Sequence, residues 1–402
     1  MKEGFDFRIV LPPRGTLIRE LVISTIPLLT DLNEVQDVRY GVMHDEVVLK
    51  FVTREAVDYV FRMFYDAVID VIKRKLYVKI RDRGLHRNDA QWINKLVGSQ
   101  SGYLSAALSF IEKFEDDFEP FSLSRKTVKR SGEIYGFVDG NTHTYPLIQP
   151  LKVEKYEYDG DWMSVVGGGV KRVTRFDKNW YMLLLAGYGL TYAGMVEDEL
   201  MFIYPDEHWV MEYVAEGQKF WMPHVQIAGK FGRFLFDPDS GIISRMAELR
   251  VPVEPKTAYL LYVASNLTLA YETRVSLLKK LRIGVARIAG GGRTYTLIEK
   301  INADLAPLLS MITKLYLIDK TAVICLESIS RKTIIYRLNR NLNLYGDYHT
   351  FTSHFYEYLH HAYDLYTLIY EAARSKIGER ESKCIQKILE AVIRLDKIKP
   401  KR

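Results

Sequence analysis

The 402-residue sequence predicts an α+β protein with an α/β N-terminal part, a β-rich middle and a helical-bundle C-terminal part. Three observations carry that expectation. Strand-like runs alternate with helically spaced apolar positions in residues 1–119. Short apolar or aromatic runs between turn signals fill residues 120–255. Apolar residues that step by three and four dominate residues 256–402. The expected domains follow these changes of texture.

In the first part, Phe7–Leu11 and Val47–Val52 read as strands. Thr53 is placed to cap a helix, because its hydroxyl can accept from a free N–H of the first turn. Val57, Val60, Phe61, Phe64, Val68 and Val71 then follow helical spacing. Tyr77–Ile80 reads as a short returning strand, and a second helix starts after Ser101 with Leu104, Leu108, Ile111 and Phe114 on one face. Pro120 closes the unit. The middle part is punctuated by Asp139-Gly140-Asn141, Asp159-Gly160-Asp161, Gly167-Gly168-Gly169 and Asp237-Pro238-Asp239. Pro252 and Pro255 mark its end. In the last part, Ile298, Ile301, Leu305, Leu308, Ile312 and Leu315 predict a helix that Pro307 kinks or restarts. Thr350–Ser375 and Ser382–Lys397 predict two more.

Composition narrows the functional classes. Apolar residues make up 48% and charged residues 26%, a globular balance. The N-terminal MKEGFDFRIV lacks the basic-then-apolar profile of a signal peptide. Cys325 and Cys384 allow at most one disulfide and have no metal-ligand spacing, so a reducing, cytoplasmic setting is the simpler reading. Tyrosine, lysine, arginine and glutamate are plentiful, which is compatible with a thermophile. Asn179–Val196 runs 18 residues without a charge, yet it spends Gly187, Gly189, Thr191 and Gly194 inside a run that falls short of a membrane span of about 20 residues. It is expected to be buried, so no membrane partner is predicted.

The net charge of +6 says little for this length, whereas its distribution is informative. Arg374–Arg402 holds ten basic and four acidic residues, a surplus of +6. Lys73–Lys95 holds eight and two, and Tyr271–Lys300 seven and two. Glu197–Glu216 holds seven acidic residues and no lysine or arginine. Any one basic run also reads as a solvated helix face. Several together, with Arg125-Lys126 and Lys129-Arg130, suit a surface that meets polyanions, because each neutralised phosphate contributes through counterion release. Tyr77, Trp92, Tyr103, Tyr135 and Tyr295 lie among these cations and are candidates for base stacking or for the core.

The segment Ile288-Ala289-Gly290-Gly291-Gly292-Arg293-Thr294-Tyr295 is the most suggestive local motif. Its glycines would let backbone N–H groups approach an anion, a helix expected near Thr294 would point its positive end at the loop, and Arg293 would add a full charge. No Gly-Lys-Ser/Thr follows, so nucleotide hydrolysis gains nothing from it. A tight strand-to-helix connection is the commoner reading of the same residues. Lys279, Lys280, Arg282 and Arg287 flank the motif, and Lys383, Lys387, Arg394 and Lys397 fall opposite Ile385, Leu389 and Val392 on the C-terminal helix. These cations complete the candidate nucleic-acid contacts.

His354, Glu357, His361 and Asp364 share one helix face at i, i+3, i+7 and i+10, a set of metal-ligating types. The spacing is not His-Glu-x-x-His, and Tyr356, Tyr363 and Tyr370 on the same helix suit packing. A metal-dependent nuclease or phosphohydrolase on this helix is one alternative function, and a structural or viral assembly protein is another. No nucleophile elbow and no dinucleotide fingerprint occurs, so no cofactor and no catalysis are expected.

The α/β start, β-rich middle, basic helical C-terminus, Gly-Gly-Gly-Arg loop and length together resemble the large subunit of an archaeal type I-A CRISPR surveillance complex (Cascade). The resemblance is one of layout over the whole chain and carries no functional residue across. It implies a non-catalytic subunit in antiviral defence near the 5′ end of a guide RNA. Such a subunit helps sense the motif flanking a target DNA, steers the displaced strand, and contacts other Cascade-type subunits and a helicase–nuclease. Base pairing by the guide then reads the sequence, while the protein reads backbone and a short flank.

Overall fold

A computed structural model describes residues 4–12, 14–31, 34–41, 46–117, 128–130, 133–135, 144–152, 175–196, 198–219, 231–248, 264–265, 268–269, 281–291, 294–330 and 379–397. They are mixed α+β, as expected. The chain packs as two compact units, Met1–Glu248 with Ile283–Ala303 and Leu249–Arg282 with Asp304–Arg402. This division differs from breaks near 119 and 255: the segment 283–303 joins the first unit, because its residues form strands that complete a sheet there.

The first unit opens with β1 (Phe5–Val10), α1 (Leu17–Ile23), α2 (Ile26–Thr30), β2 (Val35–Gly41) and β3 (Glu46–Phe51). The strands pair antiparallel in the order β1-β3-β2, with Phe7 and Val38 both opposite Leu49. Strand periodicity of two buries Phe7, Ile9, Val47, Leu49 and Phe51 and turns Asp6, Arg8 and Arg39 to solvent. α3 (Arg54–Tyr77) starts as expected, with Thr53 Oγ1 accepting from Ala56 N at 3.3 Å. Val57, Val60, Phe61, Phe64, Val68 and Val71 are all buried. The strand expected at 77–80 is absent. The helix runs through Tyr77 and closes in a turn in which Lys79 has φ 56°, a left-handed conformation that stops both helix and strand.

α4 (Arg87–Val97) and α5 (Tyr103–Phe114) follow, then two short antiparallel strand pairs, β4 (Val128–Arg130) with β5 (Glu133–Tyr135) and β6 (Thr144–Pro146) with β7 (Arg175–Asp177). Next come α6 (Lys178–Thr191), β8 (Tyr192–Val196), β9 (Glu199–Pro205), α7 (Glu207–Lys219), α8 (Phe231–Phe236) and α9 (Ile242–Glu248). The middle is therefore more helical than its turn signals implied. β10 (Arg282–Gly291) and β11 (Thr294–Asp304) finish an antiparallel sheet in the order β11-β10-β9-β8.

The charge-free run becomes α6, the central helix of this unit, and the strand β8. Asp177 caps it by accepting from Trp180 N at 2.9 Å, and every residue from Asn179 to Thr191 is buried. Each large side chain sealed there contributes about 1.5–3 kcal/mol. Glycine permits its closest contact: a Cβ at Gly187 would lie 2.1 Å from the Leu21 carbonyl oxygen of α1. The helix end is satisfied from α3, where buried Lys75 donates from Nζ to the carbonyls of Gly189, Leu190 and Tyr192, each at 2.8 Å. A cation on the negative end of a helix, with all three protons used, is a structural device. Among the described residues no helix is long and apolar enough to cross a membrane.

In the second unit, α10 (Ala306–Ile318), α11 (Lys320–Ser330) and α12 (Glu379–Lys397) pack on one another and bury Leu309, Ile312, Leu315, Val323, Leu326, Ile388 and Ala391. The single long helix expected from Ile298 onward is a strand followed by a helix. Ile298 and Ile301 lie in β11, and Pro307 sits in the first turn of α10, where its missing N–H costs nothing. Cys325 and Cys384 form a disulfide that ties α11 to α12.

Candidate functional site

The glycine motif is a β-hairpin. Gly290 and Gly291 end β10, and Thr294 begins β11 instead of a helix, so the expected positive helix end is missing. The strand period explains this: Leu297, Glu299 and the other odd positions alternate with exposed Ile298, a pattern that three-and-four counting can mimic over a short stretch. Arg83 holds the hairpin, donating to the carbonyls of Asp198 (3.0 Å) and Gly290 (3.3 Å), and lies 5.9 Å from the centre of the Tyr295 ring. Tyr295 is thus stacked by a cation of its own unit.

Arg287 is corrected outright. Its side chain is only 8% exposed, with Nε and Nη2 on Glu199 and Nη1 3.5 Å from Glu299. A guanidinium spent on two carboxylates inside a sheet is not a phosphate ligand. Arg282 is half-exposed and 3.8 Å from Asp304. Of the stacking candidates, Tyr103 is core and donates from its hydroxyl to buried Asp89 at 2.8 Å, and Trp92 packs against Tyr145 and Tyr181. Tyr77 is 78% exposed with Arg74 5.6 Å over its ring. Lys129 and Arg130 form part of β4. Arg125, Lys126, Lys279, Lys280, Gly292 and Arg293 lie outside the described residues, as do His354, Glu357, His361 and Asp364.

The cations that the structure does bring together are on α12. Arg380, Lys383, Lys387 and Arg394 are all exposed, and at 100° per residue they fall within about 60° of one another around the axis. Lys397 is the last residue of the same helix. Ile388 and Ala391 point inward. Lys383 bonds Glu379 one turn away at 2.7 Å, a contact in full solvent that exchanges readily for a phosphate.

A second polar centre, which the charge counts missed, lies in the first unit. Arg19 has a fully buried side chain and donates from Nε (2.8 Å) and Nη2 (2.7 Å) to the two oxygens of Glu207. Its remaining donors meet the Pro12 carbonyl and the Tyr40 hydroxyl, each at 2.8 Å, and Tyr40 in turn donates to Glu207. Burial alone would raise the Glu207 pKa, but the bonds from Arg19 and Tyr40 outweigh it and leave the carboxyl below its ordinary value. Next to this pair, Glu20 Oε1 is 3.2 Å from Lys300 Nζ, which also donates to the Gly15 carbonyl at 2.6 Å. Burial raises the Glu20 pKa, Lys300 opposes the shift, and the neighbouring Glu207 and Asp206 add to it. Above them opens a groove of about 970 Å³, lined by Glu20, Tyr40, Asp206, Glu207, Glu212 and Lys300 among others. The sequence did carry a signal: Arg19-Glu20 is the one charged pair inside the apolar stretch Leu17–Leu29.

No known protein family, curated protein or solved structure matches the chain.

Proposed function

We propose that this protein is a non-catalytic nucleic-acid-binding subunit of a larger assembly, of the kind found as the large subunit of Cascade. Guide RNA and target DNA would be its ligands in the cytoplasm, and other Cascade-type subunits and a helicase–nuclease its protein partners. The observation that supports the reading is the cationic rail of α12. Arg380 to Arg394 spans about 21 Å along the helix, the axial rise of about six base steps of a duplex strand. Buried Ile388 and Ala391 and the Cys325–Cys384 bridge anchor the helix along one flank of the rail.

The test is a salt series of fluorescence anisotropy with labelled duplex and single strands. Wild-type affinity falls steeply as salt rises, with little sequence preference. The triple variant Lys383→Ala, Lys387→Ala, Arg394→Ala lowers the log–log slope by about 2–3, since each lost phosphate contact removes about 0.7–0.9. A flat salt response, or a triple variant with an unchanged slope, removes the support for the reading. Incubation with magnesium, manganese or zinc leaves the nucleic acid uncut. Metal-dependent cleavage that disappears in the double variant His354→Ala, His361→Ala establishes an enzyme instead.

A further inference from the structure

We propose that the groove beside Glu20 and Asp206 is a binding site for an alkylammonium group, either on a free polyamine or on a lysine side chain. The walls carry four carboxylates, Glu20, Asp206, Glu207 and Glu212, beside the cations Lys300 and exposed Arg14 and the imidazole of His208. Lys300 is held by Glu20 Oε1 and the Gly15 carbonyl, and Arg19, beneath the floor, makes four hydrogen bonds to Glu207, Pro12 and Tyr40. Glu20 is buried at 6% exposure, lines the groove, and has no hydrogen-bond partner for Oε2 among the described residues. A buried carboxylate oxygen without a partner costs about 1–3 kcal/mol or more, so a ligand that donates to it recovers that cost. Asp206 faces the same space while its Oδ1 caps α7 through Trp209 N at 3.1 Å, and Glu212 stands one and a half turns along that helix.

The donor set selects the ligand. The acceptors that face the groove suit an organic cation with N–H donors. An ammonium group supplies three, enough for Glu20 Oε2, Asp206 and a water. A long apolar stem beyond it suits Met211 and the Tyr40 ring on the groove wall. The chain as a whole carries +6, so a polycation that binds does so against the net charge, and binding reports the site itself.

Isothermal titration calorimetry on the full chain tests this with spermidine and with a tetralysine peptide, each beside its N-acetylated form. The expected result is saturable binding of at least one probe, loss of binding on acetylation, and at least tenfold weaker binding in Glu20→Gln and in Asp206→Asn. Spermidine binding without peptide binding assigns the site to a free polyamine, and the reverse assigns it to a protein side chain. Glu20→Gln also removes the partner of Lys300, so its melting temperature is measured alongside. Asp206→Asn keeps a good N-cap for α7 and decides the matter if Glu20→Gln fails to fold. No saturable binding of either probe at millimolar concentration, or unchanged affinity in a folded Asp206→Asn, overturns the proposal.

Discussion

Replacing Arg19 by Met isolates the buried ion pair of the first unit. The substitution keeps an unbranched side chain of similar length, while it strips Glu207 of two charge-assisted bonds and leaves the Pro12 carbonyl and Tyr40 hydroxyl without their donor. Removing one member of a buried pair costs about 3–5 kcal/mol, mostly from the charge left behind. For a unit of this size each kcal/mol moves the melting temperature by about 2–4 °C, so a fall on the order of 10 °C is expected. The pH dependence separates this cause from lost packing. Wild-type Glu207 titrates below its unfolded value of 4.5, so its contribution is present above that pH and is lost as pH falls through the lower folded value. In the variant the depression is gone and burial dominates. The deficit relative to wild type is then largest at neutral pH, begins to shrink above pH 4.5 as burial makes the variant's Glu207 take up its proton early, and has gone below the wild type's lowered value. Adding Glu207→Leu to Arg19→Met recovers part of the loss at neutral pH, because no uncompensated carboxylate remains. Calorimetric melts from acid to neutral pH read both effects. A single variant within about 1 °C of wild type refutes the reasoning, since the cited cost of an unpaired buried charge forbids so small a shift.

Further outcomes follow from two aspartates and from the disulfide. Asp31 and Asp82 each cap neighbouring N–H groups from half-buried positions, Asp31 through Gly232 and Arg233 and Asp82 through Leu104, and loss of solvent around them pushes both pKa values up to about 6. Because the folded values lie above the unfolded 3.8, these carboxyls favour folding below that pH and lose the contribution as pH rises through 6. Carbon-detected NMR titration should find both near 6, and Asp31→Asn should flatten the stability profile between pH 4 and 6. In the second unit, the Cys325–Cys384 bridge closes 59 residues, for which loop-closure entropy gives about 4 kcal/mol. Reduction should lower the melting transition of that unit and leave the first unit in place.

Much of the fold was legible from periodicity. The cap at Thr53, the α3 stripe and the burial of α6 followed from side-chain chemistry that operates within one or two helical turns. The errors came where partners distant in sequence decide. Residues 294–304 became a strand because β10 offered a sheet edge, which no local count contains. Arg287 and Lys75 were counted as surface charge, although Glu199 and three carbonyls of α6 and β8 draw them inside. The candidate interface was legible in part: Lys383, Lys387 and Arg394 do share an exposed helix face. The Arg19–Glu207 centre was not, because its members stand 188 residues apart and a linear charge tally assigns them to separate runs. The disulfide also bears on the setting. A bridge between α11 and α12 departs from the reduced cysteines expected of a reducing setting.

The central claim concerns nucleic acid in an assembly, and isolation of the tagged protein from its own cells at low salt tests it most directly. Nucleic acid in the purified material is extracted, treated separately with RNase and DNase, and sequenced, while co-isolated proteins are identified by mass spectrometry. The proposal predicts several protein subunits in fixed ratio, together with RNA of defined length whose 5′ portion is constant and whose remainder varies. It further predicts that salt releases nucleic acid more readily from the Lys383→Ala, Lys387→Ala, Arg394→Ala variant than from wild type. Protein recovered alone and free of nucleic acid at low salt would contradict it.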